Sequence, residues 1–240
     1  MEKELKIPIE NKKFIYGTLR GVLGSTLVIF VHGLGSFKDE HIYFNGARFF
    51  EKKSYSSFRF DLYNYKKDAR KLQDCTLSTH AQDLDAVIKY FKNKGIKTVY
   101  VVGHSFGGPT ILLSKQKGFD KIVLWDPSIN PKKLEKEVKH IKEFDTYYVD
   151  WGAAVIVGRK MIEEARQIEP VKLIKLIHVP IKLIFAGKGE LKEKDQKRYF
   201  DSANQPKEIT VIPDATHNFN EDGTEGRLFD ETFKWFETRF

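Results

Sequence analysis

Thr98-Val99-Tyr100-Val101-Val102-Gly103-His104-Ser105-Phe106-Gly107-Gly108 is the stretch on which the architecture turns. Its first half is a β-branched run of strand length, its second half frames a serine with glycines, and the apolar residues after it open a helix. A strand that bends sharply into a helix at G-x-S-x-G raises the serine hydroxyl above the end of a sheet. The glycines remove side chains that would collide with that turn. With the glycine and serine content of this chain, about 0.05 such motifs would arise by chance. The plain alternative is an ordinary glycine-rich strand–helix turn.

Outward from this point, strands and helices alternate. Leu27–Val31 is an apolar run stopped by His32-Gly33, as in a strand buried on both faces. Further strands are predicted at Ser56–Asp61, Lys121–Asp126, Ile181–Ala186 and Glu208–Ile212, with Phe14–Arg20 as an antiparallel edge strand. Leu84, Val87, Ile88 and Phe91 fall on one helical stripe, with Thr79 and Gln82 as a capping box and Gly95 as the stop. Phe229, Phe233, Phe236 and Phe240 repeat the spacing in a last helix. This rhythm implies an α/β class: a mostly parallel central sheet with helices on both faces. Residues 127–178 break it. They are aromatic and charged, as in Tyr147-Tyr148-Val149-Asp150-Trp151, and read as a small lid inserted within a single domain spanning 1–240.

A serine hydroxyl is a weak nucleophile until a base lies within hydrogen-bond reach. Histidine, with an ordinary pKa of ~6.5, can take the proton and return it. Of seven histidines, His217 is best placed, in the polar loop Pro213–Phe219 between the last strand and the last helix. His32 and His104 belong to backbone motifs, and His41, His80, His140 and His178 read as surface or packing residues. A third, carboxylate member should hold the imidazole in the right tautomer. The chain order Ser, acid, His favours Glu190, just after Ile181–Ala186, over Asp126 at the end of the preceding strand, with Asp195 or Glu193 third. Backbone N–H groups for a developing oxyanion are expected from Phe106, directly after the serine, and from Leu34 in His32-Gly33-Leu34-Gly35.

Composition narrows the remaining classes. With 240 residues, 41% hydrophobic and 13% aromatic, the chain can bury a sizeable core, and disordered or low-complexity classes are excluded. Net charge is +8 from 41 basic and 33 acidic residues, but the bases are dispersed among acids, so a solvated surface is preferred to nucleic-acid binding. The longest uncharged stretches, Gly21–Phe37 and Thr98–Ser114, are too short and polar for a bilayer span of roughly 20 residues. The first residues lack the apolar run of a signal peptide. A single cysteine, Cys75, rules out an intrachain disulfide and disfavours a cysteine-based metal site. A cytoplasmic location is expected, with no cofactor, metal, nucleic-acid or membrane partner; a homodimer is compatible with this composition.

Three motifs, His32-Gly33-Leu34-Gly35, Gly103-His104-Ser105-Phe106-Gly107-Gly108 and Asp214-Ala215-Thr216-His217, make the chain resemble an α/β-hydrolase over almost its whole length. Phe58-Arg59-Phe60-Asp61 is similar to the strand ending in R-x-D of the serine-aminopeptidase-like branch. The short chain resembles small carboxylesterases of the cinnamoyl/feruloyl type. The resemblance implies Ser105 as nucleophile, His217 as base, Glu190 at the acid position, and Leu34 and Phe106 as oxyanion donors. Relatives carry Asp where this chain has Glu190, followed soon by a proline that is absent here. The expected activity is a serine carboxylesterase acting on small or aromatic acyl esters through an acyl-enzyme, Tyr147, Tyr148 and Trp151 either lining an acyl pocket or packing the lid. A peptidase or thioesterase on the same triad is the enzymatic alternative, with Asp145, Asp150, Glu163 and Glu164 as amine-binding carboxylates. A catalytically silent binding protein is the other.

Overall fold

The computed structural model describes residues 2–151 and 154–240; Gly152 and Ala153 of the inserted segment, like Met1, lie outside the described residues. In chain order its strands are β1 (Glu2–Pro8), β2 (Phe14–Arg20), β3 (Thr26–Val31), β4 (Ser56–Phe60), β5 (Thr98–His104), β6 (Lys121–Trp125), β7 (Lys139–Ile141), β8 (Thr146–Asp150), β9 (Ala154–Gly158), β10 (Ile181–Ala186) and β11 (Lys207–Ile212). Its helices are α1 (His41–Lys52), α2 (Leu77–Lys92), α3 (Gly107–Leu113), α4 (Leu134–Glu137), α5 (Arg159–Gln167), α6 (Pro170–Leu173), α7 (Glu193–Ser202) and α8 (Thr224–Glu237). Eight strands form one sheet in the order β1-β2-β4-β3-β5-β6-β10-β11. β1/β2 and β2/β4 pair antiparallel and every other neighbour parallel.

The strand pleat divides the core in two. Leu27, Ile29 and Val31 point to one face, with Val99, Val101, Leu124 and Phe185 of the neighbouring strands, and are covered by α2, α3 and α7. Val28, Phe30, Val102, Trp125 and Ile184 point to the other and pack against Phe50 of α1 and Phe229 and Phe236 of α8. Because both faces are buried, the central strands carry apolar runs with no polar alternation. The parallel strands all end on one side, so the loops after β3, β5, β6, β10 and β11 share one rim.

Three elements differ from the sequence reading. Phe14–Arg20 is the second strand, because Glu2–Pro8 pairs outside it, from Glu2 opposite Arg20 to Pro8 opposite Phe14. Its charges sit where an edge strand tolerates them, while Leu5 and Ile7 turn inward. The capping box of α2 lies one turn before Thr79/Gln82. The Thr79 N–H donates to Thr76 Oγ1 (3.2 Å) and the Thr76 N–H to Thr79 Oγ1 (2.8 Å), since a threonine hydroxyl closes the box as well as glutamine. Phe240 lies past the end of α8, where Thr238 turns extended; it is 59% exposed and rests on the Trp235 ring at 4.8 Å.

Between β6 and β10 the chain builds a separate antiparallel sheet, β7-β8-β9, flanked by α4, α5 and α6. Leu134, Val149, Val157, Met161 and Ile162 of this segment bury against Leu34 and Phe106. It is tied to the main body where the Ser78 N–H donates to Glu164 Oε2 (3.0 Å) and where a Cβ on Gly158 would lie 1.9 Å from the Gln73 carbonyl oxygen. Among the described residues, no helix is long and apolar enough to cross a membrane.

Candidate active site

Ser105 lies between the end of β5 and the start of α3, at φ +54°, a left-handed conformation that a residue with a side chain adopts only under constraint. The constraint is visible. The Ser105 N–H donates to the Trp125 carbonyl (3.1 Å), and the Ser105 carbonyl accepts from the N–H groups of Gly108 and Ser128 (3.0 Å each). The turn fits only because its glycines lack side chains. A Cβ on Gly107 would stand 2.2 Å from the Val31 carbonyl oxygen, and one on Gly103 2.5 Å from Ile111 Cδ1. Gly107→Ala therefore has nowhere to put its methyl except into backbone. Overpacking of this kind costs about 1–3 kcal/mol, so Tm should fall by roughly 3–10 °C for a chain of this size, as a thermal melt would show.

The Ser105 hydroxyl lies 3.5 Å from Ser128 Oγ, a neighbour that sequence reasoning did not single out. His217 follows β11 on the same rim. Its loop is pinned by Glu221, which accepts from the Thr216 N–H (2.9 Å) and Thr216 hydroxyl (2.6 Å). Its ring lies 4.6 Å from that of His104, and its carbonyl accepts from His104 Nε2 (2.8 Å). His217 Nδ1 donates to Asp126 Oδ2 at 2.6 Å, while the His217 side chain as a whole is 43% exposed.

The carboxylate that meets the imidazole is thus Asp126, and the expectation of Glu190 is corrected. Asp126 directly follows β6, is 3% exposed, and anchors its N–H to the Ile184 carbonyl (2.7 Å). The Ala186 N–H donates to its Oδ1 (3.2 Å), leaving Oδ2 for the histidine. The end of β10 therefore orients the carboxylate of β6 and supplies none of its own. Gly189 leaves the room: a Cβ there would come within 3.1 Å of Asp126 Oδ2. Glu190 is exposed on the turn beyond, and Glu193 and Asp195 lie on α7. One sequence feature pointed this way without deciding the matter: Asp126 ends a buried strand, whereas Glu190 is a longer acid in a lysine- and glycine-rich turn with no proline.

Leu34 and Phe106 are brought together over the same rim, both nearly buried beneath the inserted segment. Among the described residues, neither N–H is taken by a protein acceptor. The Leu34 loop is held by polar anchors. The Leu62 N–H donates to His32 Nε2 (3.0 Å), so the His32 proton sits on Nδ1, which bonds the Gly33 carbonyl (2.8 Å). Burial pushes the His32 pKa down, keeping the ring neutral. Tyr63 donates to the Ser36 carbonyl (2.9 Å), and Gly35, at φ +80°, has Val155 of β9 where a Cβ would go.

The other histidines take the packing and surface roles expected of them. His41 faces Glu225, His140 faces Asp145, and His80 is buried beside Tyr63, its pKa pushed down to about 3 chiefly by burial. Tyr147 stacks on His140 at 4.7 Å, Tyr148 pairs across the small sheet with Ile156, and Trp151 donates to Glu137 (3.2 Å). Asp145 is bonded to Arg159 and His140, and Glu164 to the Ser78 N–H. Burial pushes the Cys75 thiol up to about 12. Among the described residues, no group of three or more His, Cys, Asp or Glu could hold a metal ion.

A buried aspartate, an imidazole and a strained serine on one rim, with unspent N–H groups beside them, can run acyl transfer. The comparisons agree with this architecture. The family model for the alpha/beta hydrolase fold matches residues 26–151. Est1E from Butyrivibrio proteoclasticus, solved with ferulic acid bound, is similar at TM-score 0.82 and 16% identity over 97% of each chain. The esterase domain of a Rhodothermus marinus protein is similar at TM-score 0.77 and 14% identity, over 98% of this chain and 97% of that one. The Pyrococcus furiosus esterase Pf2001 is similar at TM-score 0.72 and 20% identity, over 98% and 93% respectively. No curated protein matches this sequence. With the family model spanning just over half of its length, this chain belongs to the alpha/beta hydrolase fold family.

Proposed function

We propose that this protein is a serine carboxylesterase acting on small or aromatic acyl esters, with Ser105 as nucleophile, His217 as base and Asp126 as the orienting acid. The observation that carries the reading is the 2.6 Å bond from His217 Nδ1 to the buried Asp126 carboxylate. That bond holds the proton on Nδ1 and leaves Nε2 as the basic nitrogen. Ser105 Oγ bonds to the acyl carbon while its proton passes to His217 Nε2, and the carbonyl oxygen gathers charge facing the Leu34 and Phe106 N–H groups. The tetrahedral species collapses, the ester C–O bond breaks, and His217 gives its proton to the leaving alkoxide. Water then adds to the acyl-enzyme by the same route in reverse, releasing the acid and restoring Ser105. No step needs a cofactor.

Est1E, with its bound ferulic acid, supports an aromatic acyl group by likeness of fold. The oxygen-ester reading is favoured over the peptidase alternative because Asp145 and Glu164, two of the carboxylates suggested for a substrate amine, bond groups within the protein. Initial rates on p-nitrophenyl acetate, p-nitrophenyl butyrate and methyl ferulate, set against an aminoacyl p-nitroanilide and an acyl thioester, test the assignment. Turnover of the oxygen esters with little or none of the anilide is expected. Preference for the anilide or the thioester would move the protein to another reaction on the same residues.

A further inference from the structure

One buried side chain touches both halves of this site without belonging to either. Tyr43, on α1, is 1% exposed. Its hydroxyl lies 3.3 Å from the Gly33 N–H and 3.2 Å from His104 Nδ1. The other nitrogen of that ring, Nε2, lies 2.8 Å from the His217 carbonyl. The directions of all three bonds follow from donor and acceptor chemistry. A carbonyl can only accept, so His104 carries its proton on Nε2. Its Nδ1 is then an acceptor, so the Tyr43 hydroxyl donates to it, and a lone pair of the same oxygen accepts the Gly33 N–H.

From this continuous chain, Gly33 N–H to Tyr43 to His104 to the His217 carbonyl, we infer that Tyr43 and His104 are positioning residues. They set the loop carrying the Leu34 N–H and the loop carrying the His217 imidazole at a fixed separation across Ser105. Three features support the role. Every polar hydrogen in the chain finds an acceptor, and a buried network satisfied in this way is rigid. Burial, with His217 close by, holds the His104 pKa well below its ordinary value, so the ring stays neutral and keeps one tautomer while His217 gains and loses a proton. The Tyr43 pKa is raised by burial, so its phenol remains a donor throughout. A tetrahedral intermediate needs oxyanion donors and base in register together, and two surface loops otherwise move independently.

The inference rests on the esterase reading for its kinetic consequence, but not for its geometry, and the test separates the two. Tyr43→Phe keeps the ring and removes the oxygen. His104→Gln keeps an N–H for the His217 carbonyl and removes the acceptor that faces Tyr43. Expected for each is a loss in kcat on p-nitrophenyl acetate of about 10–100-fold, the usual scale for outer partners of a site, with KM changed less than about threefold. The double variant should be no worse than the poorer single one, because both cut the same chain. In histidine-labelled wild-type protein, nitrogen NMR at pH 7 should show His104 as the neutral Nε2–H tautomer, and Tyr43→Phe should shift its Nδ1 signal. Wild-type kcat in Tyr43→Phe, multiplying effects in the double variant, or a His104 proton on Nδ1 would each overturn the inference. If the wild-type protein turned over no ester, the functional reading would fail, and the His104 tautomer would still decide this one.

Discussion

Ser105→Ala is expected to lower kcat on p-nitrophenyl acetate by about 10⁴–10⁶-fold, the scale seen when the nucleophile of such a triad is removed, with a thermal melt little changed. The two halves of this expectation have separate causes. The catalytic loss follows because no other hydroxyl can replace Oγ on that turn. Ser128 Oγ, 3.5 Å away, belongs to a different segment and lacks the strained turn that aims a nucleophile. The small effect on stability follows because alanine inherits the same backbone. The +54° φ, the N–H bond to Trp125 and the carbonyl bonds from Gly108 and Ser128 involve no side-chain atom of Ser105. Activity retained in Ser105→Ala would exclude the acyl-enzyme route.

Asp126→Asn carries the second largest effect, about 10³–10⁴-fold in kcat with KM nearly unchanged. A carboxylate accepts a hydrogen bond from His217 Nδ1–H. An amide at the same place, its oxygen still serving the Ala186 N–H, presents an NH₂ to Nδ1 and drives the imidazole proton onto Nε2. Nε2, the nitrogen assigned as the base, then has no lone pair to offer. Glu190→Gln, by contrast, alters an exposed side chain on the turn after β10 and is expected to leave kcat within about twofold, as surface changes usually do. Stopped-assay rates on the two variants in parallel check both statements. Equal losses would mean the two carboxylates cooperate, and a loss confined to Glu190→Gln would reverse the assignment.

The sheet could be read from the chain because physical pattern and structure coincide in its centre. Leu27–Val31 and Val99–Val102 are apolar at every position, and helices on opposite faces of the sheet bury them on both sides. Glu2–Pro8 could not be read that way, since an edge strand with one inward stripe looks like a charged tail until its partner is known. The serine turn was legible as well, because its glycines answer to contacts as close as 2.2 Å, and a steric requirement of that severity leaves a mark in composition. The acid was not. Chain order narrows it to the ends of two adjacent strands, but whether the carboxylate of β6 or of β10 meets His217 depends on the end of β10, where the Ala186 N–H holds Asp126 and Gly189 leaves it room. Tyr43 was invisible for a further reason. It belongs to none of the motifs, and the role proposed for it rests on hydrogen bonds to Gly33 and His104 that no spacing encodes.

The most direct measurement is covalent. The intact protein is treated with a fluorophosphonate, digested, and the modified peptide sequenced by mass spectrometry, with Asp126→Asn alongside. The expected result is one phosphonyl group on Ser105 in the wild-type protein, with labelling slowed by orders of magnitude in the variant. A protein left unmodified, or modified at another residue while Ser105 stays free, would contradict the assignment of Ser105, His217 and Asp126 as one catalytic unit.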